Sequence, residues 1–347
     1  MENYRILKYV QRDLALLEKD WRALEKGEDM SYFQTYDWYE SINDVIPSHG
    51  EVVFLTVSKN KKVKLIAPLW ILKRNHMLIN KKGCYFWGRE GFSDYLNFIY
   101  DIFDSEALLA LFLYVRCELN IKNYYLEFLS EKTRVVPFLE QKMKGMAKTQ
   151  FYYAALDLTT NKGSYLSRLS KHVRQNLRTA NNRALKDGVL FGSKIVQNTD
   201  DITRKKCLEI RNARLPFKEQ RARANWSLKT KLHMYLDQKL RIKIPYRNVM
   251  EVDKNGNILL IMNGDEIVAF FYYGYEPLKK KITVMTAGTN TKYARYSPGV
   301  YQMFLQIQRW MEDDSVEVID FTRGNEKYKY DLGCENVPVC NLSFSFK

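Results

Sequence analysis

The stretch ILLIMNGDEIVAFFYYGYEPLKKKITVMTAGTNTKYARYSPGVYQMFLQIQRWM, residues 258–311, decides the fold. It holds three β-rich runs, Ile258–Met262, Ile267–Tyr275 and Lys281–Gly288. Asn263-Gly264 joins the first two, and that dipeptide suits the positive φ angles of a tight hairpin. After Gly288 the pattern changes. The polar loop Thr289–Gly299 leads into Val300–Met311, where apolar residues recur at helical spacing, and Val316–Phe321 reads as a strand again. The order is antiparallel meander, helix, strand.

Working outward, the first half of the chain carries the same scheme. Residues 5–26 have Ile6, Tyr9, Val10, Leu14, Leu17, Trp21 and Leu24 at helical spacing, and a second helix is expected near Thr35. Val52–Ser58, Val63–Leu72 and Met77–Trp87 follow as β-rich runs. Ser105–Leu119 then reads as a helix capped by Ser105 or Asp104, Tyr124–Leu129 as a buried strand and Glu131–Lys144 as a helix. Later, Ser164–Lys186 is a long helix, Val189–Val196 a strand, Asp200–Leu215 and Ser227–Ile242 helices, and Val249–Val252 a strand. The fold class is therefore α+β. Two similar domains, 1–155 and 156–347, are expected, each a mostly antiparallel mixed sheet flanked by helices. One large mixed sheet is the alternative.

Composition narrows the function classes. Hydrophobic residues make up 46% of the 347, enough for packed cores, which excludes a disordered chain. The 14% aromatic share suggests broad grooves or amphipathic sheet faces. The longest apolar run, Ala107–Val115, is far too short to cross a bilayer, and Met1–Gly27 lacks the apolar core of a signal peptide. Five cysteines with no C-x-x-C pair point to a reduced, cytoplasmic protein without disulfides or structural zinc. His49, His76, His172 and His233 are scattered, so no metal site is expected. P-loop, dinucleotide-binding and hydrolase-elbow fingerprints are absent.

Charge is informative because it is uneven. The net charge is +15, yet residues 161–247 alone hold 22 Lys+Arg against 6 Asp+Glu, so the remainder nets −1. On the helix from Ser164, the residues Leu166, Leu169, Val173, Leu177, Ala180 and Ala184 form one stripe. Lys171, Arg174 and Arg178 share a flank within roughly 60°. The bases continue through Arg204, Lys205, Lys206, Arg211, Arg214, Lys218, Arg221 and Arg223. Bases without interspersed acids suit an anionic partner, and a solubilising face is the plain alternative.

Two constellations carry chemistry. In Gly288–Gly299, Pro298 fixes the entry to the following helix and Gly299 permits close approach. The N–H groups of Gly299, Val300 and Tyr301 would face an anion at the positive helix end, with Arg295 and Ser297 beside them. An ordinary strand-to-helix turn is the competing reading. In Asp320–Tyr330, the carboxylates of Asp320 and Glu326, the guanidinium of Arg323 and the phenols of Tyr328 and Tyr330 gather beyond a strand end, where Gly324 lets the chain turn. Such a set can deprotonate an amine and hold a polar acceptor. Ion pairing of Asp320 with Arg323, or of Glu326 with Lys329, is the alternative.

The Ser297-Pro298-Gly299 loop, the ending Asp320-Phe-x-Arg-Gly-x-Glu-x-Tyr-Lys329 and the basic helix Leu169–Ala180 together resemble CelD/BcsL-type acyltransferases. These belong to the GNAT superfamily and are related to FemAB-like aminoacyltransferases. Gly91-Phe-Ser-Asp-Tyr95 resembles a further family feature, and with it Asp94 and Tyr95 become candidates for substrate binding alongside Lys171, Arg174, Arg178, Arg323 and Tyr328. The resemblance implies two tandem GNAT-like domains, with acyl-CoA as co-substrate on Arg295, Ser297, Gly299, Val300 and Tyr301. Tyr296-Ser297-Pro298 replaces the usual glycine-rich loop. The implied reaction is direct transfer from acyl-CoA or an acyl carrier protein to an amine, such as a cell-envelope sugar or lipid precursor. Asp320 and Glu326 are the candidate catalytic residues. The rival reading takes an aminoacyl group from charged tRNA, and a nucleic-acid-binding module is the non-enzymatic one. An anionic acceptor or peripheral contact with an anionic membrane would also use the basic segment.

Overall fold

The computed structural model describes residues 4–47, 49–75, 81–89, 93–160, 165–197, 199–213, 248–253 and 255–346. In chain order the first elements are β1 (Arg5–Val10), α1 (Glu18–Leu24), α2 (Tyr36–Ser41), β2 (Glu51–Lys59), β3 (Lys62–Leu72) and β4 (Gly83–Phe86). Then come α3 (Ser105–Cys117), β5 (Asn123–Ser130), α4 (Val135–Lys142), β6 (Ala147–Asp157), α5 (Tyr165–Arg168), α6 (Lys171–Lys186), β7 (Phe191–Val196) and α7 (Asp201–Asn212). The last are α8 (Val249–Val252), β8 (Asn257–Asn263), β9 (Glu266–Glu276), β10 (Lys281–Thr289), α9 (Pro298–Glu312), β11 (Val318–Arg323), α10 (Lys327–Asp331) and β12 (Glu335–Ser345).

The chain forms two compact units. One contains the described residues up to Tyr152, with Asn248 and Pro338 onward; the other contains the rest, from Tyr153 to Val337 apart from Asn248. In the first, the strand order is β1-β2-β3-β4-β5-β12, antiparallel except for the parallel pair β4–β5. In the second it is β7-β8-β9-β10-β11-β6, antiparallel except for β10–β11. The first five strands follow the same order in both, whereas the sixth comes later in the chain in the first unit, β12 after β5, and earlier in the second, β6 before β7. In each unit a helix, α3 or α9, connects the two parallel strands, as a parallel pair requires.

Sequence expectations fail where pairing outweighs local pattern. The helix read over 5–26 is instead a strand, a 3₁₀ turn at Gln11–Leu17 and the short α1. All six residues of β1 pair with β2, Arg5 opposite Ser58 through Val10 opposite Val53, and Asp13 accepts the Val10 N–H at the turn. Val249–Val252 is helical rather than extended, because Arg204 on α7 draws the Met250 and Asp253 carbonyls to its guanidinium at 3.1 and 2.7 Å. The long helix from Ser164 is two, since Ser170 caps α6 by accepting the Val173 N–H. The Ser227–Ile242 helix and Arg214, Lys218, Arg221 and Arg223 lie outside the described residues. The aromatic share fills cores more than grooves: Trp21, Trp38, Tyr39 and Phe54 are fully buried, with the Trp21 and Tyr39 rings 4.8 Å apart.

Candidate active site

In the second unit, β9 and β10 build a floor covered on opposite faces by different helices. Leu259, Ile261, Ala269, Phe271, Ile282 and Val284 pack with α6 and α9. Ile258, Leu260, Phe270, Tyr272 and Cys207 of α7 form the other layer. The alternation along each strand explains the split, since neighbouring side chains point to opposite faces. Gly288 leaves room for the Phe270 ring of β9 and for Ile210 of α7, since a Cβ there would come within 2.6 Å of the ring and 3.3 Å of Ile210 Cγ2.

The site opens where two parallel strands part. β10 and β11 pair over three residues only, Lys281–Thr283 against Val318–Asp320. Both strands are irregular at that point. β10 shifts register against β9 between Val284 and Thr286, and β11 shifts against β6 between Asp320 and Arg323. Beyond Thr283 the β11-facing edge of β10 continues toward Thr289 with no ladder to β11. Bulges re-aim a strand and end pairing in this way.

The loop after β10 delivers a helix N-terminus. Thr291–Tyr296 is a 3₁₀ turn, Ser297 takes φ +47°, and α9 begins at Pro298. Tyr301 N–H donates to the Ser297 carbonyl at 3.1 Å, so Tyr301, expected to face an anion, spends its amide inside the helix. Gly299 and Val300 precede that first intrahelical bond, and Ser297 supplies no side-chain cap. Their N–H groups are the ones this helix end directs at an anion. Gly299 lies against the strand ends, where a Cβ would meet Thr289 Oγ1 at 3.3 Å. The matching helix of the first unit differs. Its cap residue Asp104 accepts the Glu106 and Ala107 N–H groups at 3.1 Å each, so a carboxylate already fills that end.

The loop is braced from two sides. Glu266, at the β8–β9 turn, accepts from Tyr293 at 2.6 Å and from Lys292 at 3.2 Å, and the Tyr293 bond, with Lys292, holds its carboxyl below the usual glutamate range. On the other side Arg183 of α6 donates to the Arg295 carbonyl at 2.7 Å. Asp187, the α6 C-cap, pairs with Arg295 at 2.5 Å and accepts from Tyr296 at 2.9 Å. Arg295, expected to bind an anion, is thus stacked over Tyr296 and bound to Asp187. That role could not be seen without knowing that α6 ends there.

Asp320 and Glu326 sit differently. Asp320 is 2% exposed; it accepts the Thr322 N–H at 2.8 Å and lies 3.2 Å from Lys281. Burial opposes the Lys281 charge, but the Asp320 and Glu276 carboxylates outweigh it and hold the ammonium above the usual lysine value. Glu326 is half-buried, with its carboxylate over Gly324, whose φ is +103° and where a Cβ would lie 2.4 Å from Glu326 Oε2. Lys329 organises this turn. It is 3% exposed and donates to the Phe321, Arg323 and Gly324 carbonyls at 2.9, 2.7 and 3.1 Å, with Glu326 at 3.1 Å. The sequence suggested only the Glu326 pair. Arg323 is exposed, and Tyr328 packs edge-on against Phe321.

The other candidates are spread. Arg174 is held by the Leu166 and Leu169 carbonyls at 3.1 and 2.9 Å, ending α5, whereas Lys171 and Arg178 are exposed and make no ion pair among the described residues. Asp94 and Tyr95 are buried in the first unit. Among the described residues no group of three or more His, Cys, Asp and Glu is placed to hold a metal, and no helix is long and apolar enough to cross a membrane.

Comparison with known proteins agrees with this geometry. Residues 171–330 match the family described as an acetyltransferase (GNAT) domain. Comparison with curated protein sequences gives no match. Among solved structures, the C-terminal domain (DUF2156) of a protein assigned as a lysylphosphatidylglycerol synthetase from Agrobacterium fabrum superposes with TM-score 0.54 at 11% identity, over 95% of this chain and 92% of that one. FemX superposes with TM-score 0.52 at 13% identity, over 97% and 96%. A conserved protein of unknown function from Bacteroides thetaiotaomicron gives 0.54 at 9%, over the whole of both chains. The fold is GNAT-like, a mostly antiparallel mixed sheet with flanking helices, and the chain is an enzyme of the acyltransferase class.

Proposed function

We propose that the protein is an N-acyltransferase that moves an acyl group from acyl-CoA to an amine, with the donor held by the second unit. The parting of β10 and β11 beside the uncapped start of α9 carries this reading. The Gly299 and Val300 N–H groups take the donor's diphosphate, where the helix dipole favours negative charge. The pantetheine arm lies along the open edge of β10 as an added strand, bonded through main-chain groups. The amine attacks the thioester carbonyl, the C–S bond breaks, the thiolate leaves, and the amine's proton passes to Glu326. Asp320, buried and bonded on both sides, shapes the apex. Its environment leaves it remote from solvent, in contrast to Glu326. Kinship with the CelD/BcsL type, a cytoplasmic setting and a cell-envelope acceptor belong to the same proposal.

The filled end of α3, where Asp104 occupies the amides, gives a quantitative expectation: one CoA per chain. Isothermal titration with CoA and a series of acyl-CoAs tests it. Absence of any binding, or two equivalent sites, would sink the reading. A second reading, charged tRNA as donor, is favoured by Lys171 and Arg178, which are exposed and make no ion pair among the described residues. It expects tRNA retention that weakens steeply with salt, as counterion release demands. An acyl carrier protein as donor would use the same bases, and its phosphopantetheine arm would compete with CoA for the thioester seat.

A further inference from the structure

The bulge on β11 is built around a residue ill suited to it. Thr322 has φ +54°, where a β-branched side chain crowds its own backbone. It is 3% exposed and tied twice, through its N–H to Asp320 and through its hydroxyl to the Val284 carbonyl at 3.0 Å. The hydroxyl bond crosses from β11 to β10 one residue beyond the last parallel pair, Thr283 opposite Asp320. The first unit has the same kink. When the pair Cys84–Tyr124 is set on Lys281–Val318, Phe128 falls on Thr322, and Phe128 has φ +61°. The kink therefore comes with the repeated fold. The hydroxyl crosslink is what the second unit adds.

We infer that Thr322 is a positioning residue that pins the apex between β10 and β11 and thereby sets where the donor's thioester end is seated. The bond satisfies the Val284 carbonyl at the point where the ladder stops, so β10 offers its open edge to a ligand only beyond Val284. It also ties the kinked peptide of β11, and through Asp320 the Lys281 ammonium, to the same point. A β-branched residue persists in a strained conformation only when its surroundings over-determine it, and these two bonds do so. The inference rests on the donor reading above.

Thr322→Val keeps the branched shape and deletes the hydroxyl, while Thr322→Ser keeps the hydroxyl. Titration calorimetry should show Thr322→Val binding CoA about tenfold more weakly, ADP (which lacks the pantetheine arm) equally well, and Thr322→Ser within about twofold of wild type for both. Equal weakening of CoA and ADP, or no weakening, overturns the inference. Amide hydrogen exchange supplies a ligand-free check: Met285 and Thr286 should exchange faster in Thr322→Val, with β8 unchanged. Unaltered exchange at β10 overturns the apex role. A wild-type protein that ignores CoA while its valine variant loosens β10 would instead defeat the donor reading alone.

Discussion

Replacing Lys329 with Met keeps the stem's length and packing but removes the ammonium that three carbonyls and Glu326 share. The Phe321 carbonyl is buried, and a buried acceptor left without a donor costs about 1–3 kcal/mol. The Arg323 and Gly324 carbonyls are only partly buried and recover water, so each adds less. The sum is about 2–4 kcal/mol. For a unit of this size, each kcal/mol moves the melting temperature by about 2–4 °C, so the variant should melt roughly 5–15 °C lower. Differential scanning calorimetry at neutral pH reads this directly. Lys329→Arg keeps charge and donors and should lose less. A Lys329→Met protein that melts within about 1 °C of wild type would refute the reasoning, since it would show that water already satisfies the turn.

Gly324→Ala should cost about 1–3 kcal/mol from its φ of +103° alone, with a further loss from contact with Glu326. Thermal unfolding in a Glu326→Ala background should recover the contact part only. Burial pushes the Cys207, Cys334 and Cys340 thiols up to about 12 and raises Cys84 further, whereas Cys117 is exposed. A native thiol titration near neutral pH should therefore find a single fast-reacting group, Cys117, and a second fast equivalent would contradict the packing. Glu266 has a lowered folded-state pKa, so its contribution to stability is complete above the ordinary glutamate value of about 4.3 and fades as pH falls below it. Melting curves taken across that acid range should drop more steeply for wild type than for Glu266→Gln, and parallel curves would show that the Tyr293 bond does not brace the loop.

Legibility followed the range of the interactions. The meander β8–β10 and the entry to α9 rest on local signals, an Asn263-Gly264 hairpin and Pro298 at the first helical position, and both were readable. The cap of α3 was also local, and Asp104 provides it. Strand β1 was hidden because its periodicity fits a helix, while the partner that makes it extended lies some fifty residues on. Strand β6 is exposed from Ala147 to Gln150, three of those four residues being polar, and offers little alternation until Phe151. At the site, residue types were readable but partners were not. Arg295 is a base beside a helix end in the sequence, and only the return of α6 shows that Asp187 has taken it. Thr322 gives no local signal at all, since a threonine in a β-rich run announces a regular strand.

The strand order of the first unit has a consequence for biosynthesis. Its sixth strand, β12, lies beyond every strand of the second unit in the chain, and Phe344 stacks on Tyr124 of β5 with ring centroids 5.1 Å apart. While the polypeptide emerges from a ribosome, β5 remains an open edge until the strands of the second unit have been made, and such edges invite pairing with other chains. The first unit therefore cannot finish folding before the second unit's strands have appeared. A nascent chain would need its second unit, or a chaperone, to arrive before that exposed strand finds a stranger.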